Sequence, residues 1–229
     1  MNQVDITRHV DVFSRDAFGD RRIDVIGAGA TGSRIVLSLA KLGLENIHVW
    51  DFDVVEAHNI ANQVYSLEDV GKLKVDALEA IVKEQTGLSI HKHAERVDGT
   101  QQLGDVVFLL VDTMAARKEI WTKGIRYKMR TKLMIETRMG VDEGRVYTVV
   151  PTRPAHVKGW EATLYDDKVA EVSACGASIT VGPTAEMVSG LAVWQLVRWQ
   201  TINEGKEDKL ENELMFFLRP LATLSRQFD

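Results

Sequence analysis

The chain has 229 residues, enough for one domain with a sizeable core or one domain plus an extension. Its apolar share of 45%, charged share of 27% and formal net charge of −5 are ordinary for a soluble globular protein, and they argue against a nucleic-acid partner, which selects a basic surface. The one cysteine, Cys175, excludes an intramolecular disulfide and a four-cysteine zinc site from a single chain. No apolar run reaches the roughly 18 residues of a membrane span, and the N-terminus is polar and charged where a signal peptide would be apolar. A reduced cytoplasmic compartment and no membrane partner are the expectation.

Residues 1–20 form an N-terminal arm in which Ile6, Val10, Val12 and Phe13 suit a short helix or packing on a neighbour. Residues 23–26 are a short apolar run, the pattern of a parallel strand buried on both faces. Gly27, Gly29 and Gly32 then make Gly-x-Gly-x-x-Gly. In that pattern the first glycine turns tightly, the second lets backbone approach phosphate oxygens and the third lets helix pack on strand. A helix follows, with Ile35, Val36, Leu39, Ala40 and Leu42 as its apolar stripe. Its N-terminus at Thr31 offers N–H groups to a phosphate. Residues 47–50 are a second strand, and Asp51 stands at its end, where a ribose hydroxyl would be read.

Residues 53–68 look like an irregular loop with short helical pieces, and 75–82 like an amphipathic helix ended at Gly87. Residues 88–97 suit a third strand, and 105–111, DVVFLLV, are the strongest buried-strand signal. A helix over 115–127, a strand over 132–137 and an edge or hairpin strand over 144–150 come next. Residues 151–181 have no strong period and read as a long crossover loop. A helix over 186–202 and a strand with a turn at Pro220 close the chain. The order predicts an α/β fold: a Rossmann-like, mostly parallel sheet with flanking helices, a long crossover loop, and a C-terminal helix plus strand.

Ligands on such sheets bind outside the carboxyl ends of the strands. Asp51 and Asp112 end two strands, and the loop after Asp51 carries Asp53, Asn59, Asn62 and Gln63 up to Lys74. A lysine there would meet triphosphate charge; alternatively it lies on a solvated helix face. Asp112 could hold magnesium through oxygen, or cap the following helix. The glycine turn and Asp51 also allow an NAD-dependent oxidoreductase. Lys74 and Asp112 suit a triphosphate and a metal better than a nicotinamide. Cys175, in SACGASITVGPTAEM, is either a reactive thiol or a small buried apolar residue. His91 and His93, two apart on a strand, read as an exposed face.

Four stretches in order, GAGATGS, DFDVVEAHNIANQ, VGKLKVDAL and LLVDTMAAR, resemble the ThiF/MoeB-type adenylyltransferases, relatives of ubiquitin-activating enzymes. The resemblance runs from Arg8 to about Trp199. It implies ATP and Mg2+ as ligands, and attack on the α-phosphate by the C-terminal carboxylate of a small ubiquitin-like or sulfur-carrier protein. It implies that Asp51, with Asp53 nearby, binds the ribose, that Gly27, Gly29, Thr31 and Gly32 pass the phosphates, and that Asn59 and Lys74 contact phosphate, beside Asn62 and Gln63. Asp112 would hold magnesium. Cys175 would carry a thioester or related adduct. Arg8, in TRHV, would reach the ATP of a partner subunit in a homodimer, or is simply a surface arginine. The whole chain, 1–229, would be one ThiF-like ATP-binding domain. The chain departs from the family pattern where Asn62 replaces arginine in Asn-Leu-x-Arg-Gln. Asparagine lacks the permanent charge and five-donor fork. Either Arg8, Arg34 or Arg138 compensates, or the chain binds nucleotide with slow or altered chemistry, which leaves open a non-catalytic partner subunit.

Overall fold

The computed structural model describes residues 4–167, 181–206 and 209–229. Eight strands form one sheet in the order β3-β2-β1-β4-β5-β6-β7-β8. They are β1 (Ile23–Ile26), β2 (Ile47–Trp50), β3 (His91–His93), β4 (Val106–Leu109), β5 (Leu133–Met139), β6 (Glu143–Val149), β7 (Glu213–Leu218) and β8 (Leu221–Arg226). β1 to β5 are parallel to one another; the β5–β6, β6–β7 and β7–β8 pairings are antiparallel. The helices are α1 (Arg15–Phe18), α2 (Gly32–Lys41), α3 (Lys74–Thr86), α4 (Met114–Ile120), α5 (Pro154–Glu161) and α6 (Gly182–Asn203). Among the described residues no helix is long and apolar enough to cross a membrane.

Both sheet faces are covered, which is why β1 and β4 are buried at every position and read as unbroken apolar runs. Alternation splits the side chains. Ile23, Val25, Val106 and Phe108 join α2 residues Ile35, Val36 and Leu39 and α6 residues Val188, Ala192 and Leu196 in one core. Ile26, Val107 and Leu109 join Ile120, Trp121 and Trp160 in the other. Each fully buried side chain of this size contributes about 1.5–3 kcal/mol of transfer energy, so Leu39→Ala in α2 should cost about 2–5 kcal/mol.

Two features differ from the predicted elements, and one resolves an alternative. The stretch 151–181 is not all loop: Pro154 occupies the first turn of α5, and buried Val157 and Trp160 tie that helix to the sheet. The strand over 144–150 is a hairpin member inside the sheet, between β5 and β7. The C-terminal tail folds back through Arg219-Pro220 into β8, adding a second strand to the expected one.

Register levels the strand ends. Ile26 pairs with Trp50 on one side and with Leu109 on the other, and Leu109 pairs with Glu136. The chain leaves β1 toward β2 and β3, then returns to lay β4 on the opposite side of β1. That reversal opens a crevice beyond the carboxyl ends of the parallel strands.

Candidate functional site

Gly27 follows β1 at φ 103°, and a Cβ there would lie 2.8 Å from the Leu110 carbonyl oxygen. A Cβ on Gly32 would collide with the Gly27 carbonyl oxygen. These two glycines let α2 close onto β1. Gly29 is different. A Cβ on it would meet nothing within 4 Å. No packing among the described residues requires that glycine, and its bare backbone leaves room for a ligand to approach. Thr31, the N-cap of α2, makes no side-chain capping bond among the described residues, and of the first turn's N–H groups that of Ser33 donates to the Gly29 carbonyl at 3.0 Å. The first N–H groups of a helix have no intrahelical acceptors, and an anion can take them. The Ser33 hydroxyl in that turn is buried without a partner among the described residues.

Asp51 is buried beside the turn. One carboxylate oxygen accepts the Ala28 N–H at 2.7 Å and the other accepts the Asp53 N–H at 2.9 Å. Burial pushes its carboxyl above the ordinary carboxylate value, while Lys74 and these two N–H groups pull it back. Asp51 therefore also fixes the glycine turn, a role hidden in the sequence because the partner is backbone. The Tyr65 hydroxyl fastens the same turn by donating to the Ala28 carbonyl at 2.8 Å. Lys74, the first residue of α3, is buried rather than spread on a solvated helix face. Its Nζ lies 2.8 Å from Asp53 Oδ2. A buried ammonium held by a half-exposed carboxylate can turn its remaining donors to phosphate.

Asn59 is buried in a single helical turn, 57–61, where its Oδ1 accepts the Glu56 N–H at 2.9 Å. Gln63 Oε1 is buried without a partner among the described residues. Asn62, half-buried, ends that turn, and Arg34 Nη1 donates to the Asn62 carbonyl at 2.5 Å and to the Ala30 carbonyl at 3.1 Å. Of the three arginines weighed as substitutes, Arg34 is the one the fold brings to Asn62. Arg138 is committed to Glu136, and Arg8 is exposed in the N-terminal arm.

Asp112 lies just past β4 and is exposed. It does not cap α4. Thr113 accepts the Ala116 N–H, and Asp167 accepts the N–H groups of Met114 and Ala115. Asp112 makes no hydrogen bond or ion pair among the described residues, so its carboxylate is available to a ligand. Among those residues no three acidic, histidine or cysteine side chains form a ready metal cage. A lone carboxylate suits magnesium, which keeps its waters and shares phosphate oxygens. Bare Gly29 backbone, an uncapped helix end, orphaned Ser33 and Gln63 oxygens and an unpaired Asp112 together fit a nucleoside triphosphate with its metal. Cys175 lies outside the described residues.

Two clusters escaped the sequence reading. Glu136, fully buried on β5, lies 2.9 Å from Arg117 Nε and 3.0 Å from Arg138 Nη2, and accepts Trp160 Nε1–H at 3.1 Å. At the sheet edge His93 stacks on Trp50 with centroids 3.7 Å apart, and its backbone carbonyl accepts the Asp51 N–H at 3.1 Å. His93 is thus half-buried and supports the site, while His91 is exposed as expected.

A model of the ThiF family matches residues 4–227. The NEDD8-activating enzyme E1 catalytic subunit of Arabidopsis thaliana is 33% identical over 105 residues, 43% of this chain and 23% of that protein. The probable adenylyltransferase/sulfurtransferase MoeZ of Mycobacterium tuberculosis is 37% identical over 78 residues, 33% of this chain and 20% of that protein. Among solved structures, E. coli MccB with ATP superposes at a TM-score of 0.69 and 14% identity, covering 93% of this chain and 65% of that one. At that identity the likeness is one of fold. The chain spans about a quarter of the length of the NEDD8-activating relative and two thirds of MccB.

Proposed function

The chain belongs to the ThiF family, and on that premise we propose that it is an ATP-dependent adenylyltransferase. Its substrate is the C-terminal carboxylate of a small ubiquitin-like or sulfur-carrier protein, or of a peptide. A carboxylate oxygen attacks the α-phosphorus, the bond to the β-phosphate oxygen breaks, and acyl-adenylate and pyrophosphate result. Such chemistry asks the protein mainly to position groups and neutralise charge. Gly29 and the α2 N-terminus receive the phosphates, and Asp51 orients the ribose. Lys74, set by Asp53, meets phosphate charge together with Asn59, Asn62 and Gln63. Arg34, bonded to the Asn62 carbonyl, supplies the guanidinium that residue 62 lacks. Asp112 would hold Mg2+, which when bound supplies positive charge at the phosphate oxygens.

The observation that carries this reading is the pairing of the uncrowded backbone at Gly29 with an Asp112 carboxylate that no group among the described residues uses. Support also comes from MoeZ, named as an adenylyltransferase, and from MccB, whose structure was solved with ATP. The reading extends to one domain over 1–229, a cytoplasmic homodimer with Arg8 reaching the partner's nucleotide, and transfer through Cys175.

Calorimetric titration with Mg–ATP, with NAD as the control, tests it. Magnesium-dependent ATP binding that vanishes in Asp112→Ala is the expected result; binding of NAD alone would return the chain to the oxidoreductases. Asn62 favours a second reading, a non-catalytic partner subunit, which predicts nucleotide binding without pyrophosphate exchange.

A further inference from the structure

The pole of the sheet opposite the crevice holds a cavity of about 490 Å³. It opens where the parallel strands begin. Arg21 precedes β1, Asp105 precedes β4 and Lys132 precedes β5; Arg153 precedes α5, and Trp199 and Asn203 come from the last turns of α6. Three cations face one carboxylate here. None of the three forms an ion pair among the described residues, in a chain whose formal net charge is −5.

Two of these cations, Arg21 and Lys132, are held in place by neutral groups. The Arg21 guanidinium donates to the carbonyls of Ala17 and Phe18 and lies 5.4 Å from the Phe18 ring centroid and 5.9 Å from that of Trp199. Lys132 Nζ donates to the Met129 carbonyl at 2.7 Å. Arg153 is fixed through its backbone, whose N–H donates to the Val150 carbonyl at 3.0 Å, between Pro151 and Pro154. Its side chain has no partner among the described residues. Asp105, the one acid, has an oxygen occupied by the Arg22 N–H at 3.1 Å. Anchoring by carbonyls and rings restricts rotamers without consuming charge. Three guanidinium or ammonium groups against the one Asp105 carboxylate leave an excess of positive charge in the lining, and two of them offer the planar fork that matches phosphate oxygens. The cavity exceeds what one phosphate fills and falls within the range of small-molecule sites. The Trp199 indole and the Asn203 amide provide an apolar edge and a hydrogen-bonding group for the rest of a ligand.

We propose that this cavity is a second, separate binding site for a small phosphorylated molecule, its phosphate or diphosphate group held by Arg21, Lys132 and Arg153. The site is independent of the adenylation chemistry: it stands if the crevice binds nothing, and it falls without affecting the crevice.

The test uses the full chain and two probes, inorganic pyrophosphate and AMP. Binding is followed by calorimetry and by the indole N–H resonance of Trp199, assigned with Trp199→Phe. Saturable binding that shifts this resonance and weakens about tenfold or more in Arg21→Gln/Arg153→Gln supports the site. The same variant should bind Mg–ATP at the crevice with unchanged affinity, and its melting temperature shows whether it has folded. Tighter binding of AMP identifies a nucleotide as the occupant; tighter binding of pyrophosphate identifies a free diphosphate. The proposal is overturned if neither probe binds, or if binding is lost in Lys74→Ala and survives in the double arginine variant. Should the double variant fail to fold, Lys132→Gln with the same readouts decides the matter.

Discussion

One carboxylate sits in the middle of β5 and another just past the end of β4, and the protein treats them in opposite ways. At β5, Glu136 is enclosed: two arginines and an indole satisfy it, and Arg138 in turn donates to Thr163 and lies 4.4 Å from the Tyr147 ring centroid. At β4, Asp112 is exposed and nothing in the described chain uses it, even though three helix N–H groups lie within four residues and are given to Thr113 and Asp167 instead. A closed network fastens β5, α4 and the end of α5 together. An open carboxylate three residues beyond Leu109, the β4 partner of Glu136, has no partner among the described residues. Burial and charge alone would have ranked Glu136 above Asp112 as a functional residue; counting each group's partners reverses the order.

The largest effect expected from this contrast is on stability at the closed end. Glu136→Gln keeps the shape and removes the charge, leaving Arg117 and Arg138 buried without an anion. Breaking a buried ion pair from one side costs about 3–5 kcal/mol. Urea unfolding should show that loss as a lower midpoint with an unchanged slope. A loss within about 0.5 kcal/mol, the range of ordinary surface substitutions, would mean that the cluster is solvated in solution.

Next comes Asp112→Ala, which should do the reverse. Its unfolding midpoint should match the parent, since no protein partner is lost. Pyrophosphate exchange should fall by about 10²-fold or more, the scale on which removing one charge-stabilising group acts. Unchanged exchange would remove Asp112 from the metal role. A matching stability loss would show that it has a structural partner after all. Cys175→Ala should spare exchange and block any later transfer; transfer at the parent rate would make the thiol structural.

A smaller effect separates the glycines. Gly29→Ala should leave the fold intact, because a Cβ meets nothing there, and weaken Mg–ATP binding measured by calorimetry. Gly32→Ala should damage the fold itself, because its Cβ overlaps the Gly27 carbonyl. If Gly29→Ala binds ATP like the parent, the phosphates do not pass that backbone.

The parallel half of the fold was readable from the sequence because burial on both faces writes apolar runs, and because helix stripes and glycine spacing are local. Asp51, Lys74 and Asp112 could be placed at strand ends by topology. What could not be read depends on partners distant in sequence. That Asp167 caps α4 and so releases Asp112, that Arg34 meets Asn62, and that Trp160 and Arg117 converge on Glu136 involve separations of 19 to 53 residues with no periodic signature. Helix α5 was missed because an eight-residue element with two buried apolar residues has too few turns to show a period. Cys175 stays where the sequence left it.

The smallest effects are in pH, where they sharpen the same contrast. Burial draws His48 and His156 down to about 4, with Arg22 and Arg153 respectively adding to the shift. Both imidazoles stay neutral in the folded chain while the unfolded chain protonates near 6.5. The unfolded state therefore binds more protons between these values, and stability is lost as pH falls from 6.5 toward 4. Asp51 has the opposite sign. Its raised folded pKa means that the folded state binds more protons just above 3.8, so stability declines as pH rises through that window. His48→Gln/His156→Gln should flatten the loss between pH 6.5 and 4, and Asp51→Asn should remove the decline that begins at 3.8, both read from urea midpoints at stepped pH. Saturating Mg–ATP gives the decisive arm. Phosphate charge beside Asp51 would raise its proton affinity further, while the histidines, which lie off the crevice floor, would not respond. A nucleotide-induced change confined to the Asp51 window would tie that carboxylate to the ligand. A change in the histidine window that persists in His156→Gln would put the nucleotide at the β2–β3 edge, against the ring stack of His48, His93 and Trp50, whereas one lost in that variant would put it beside Arg153.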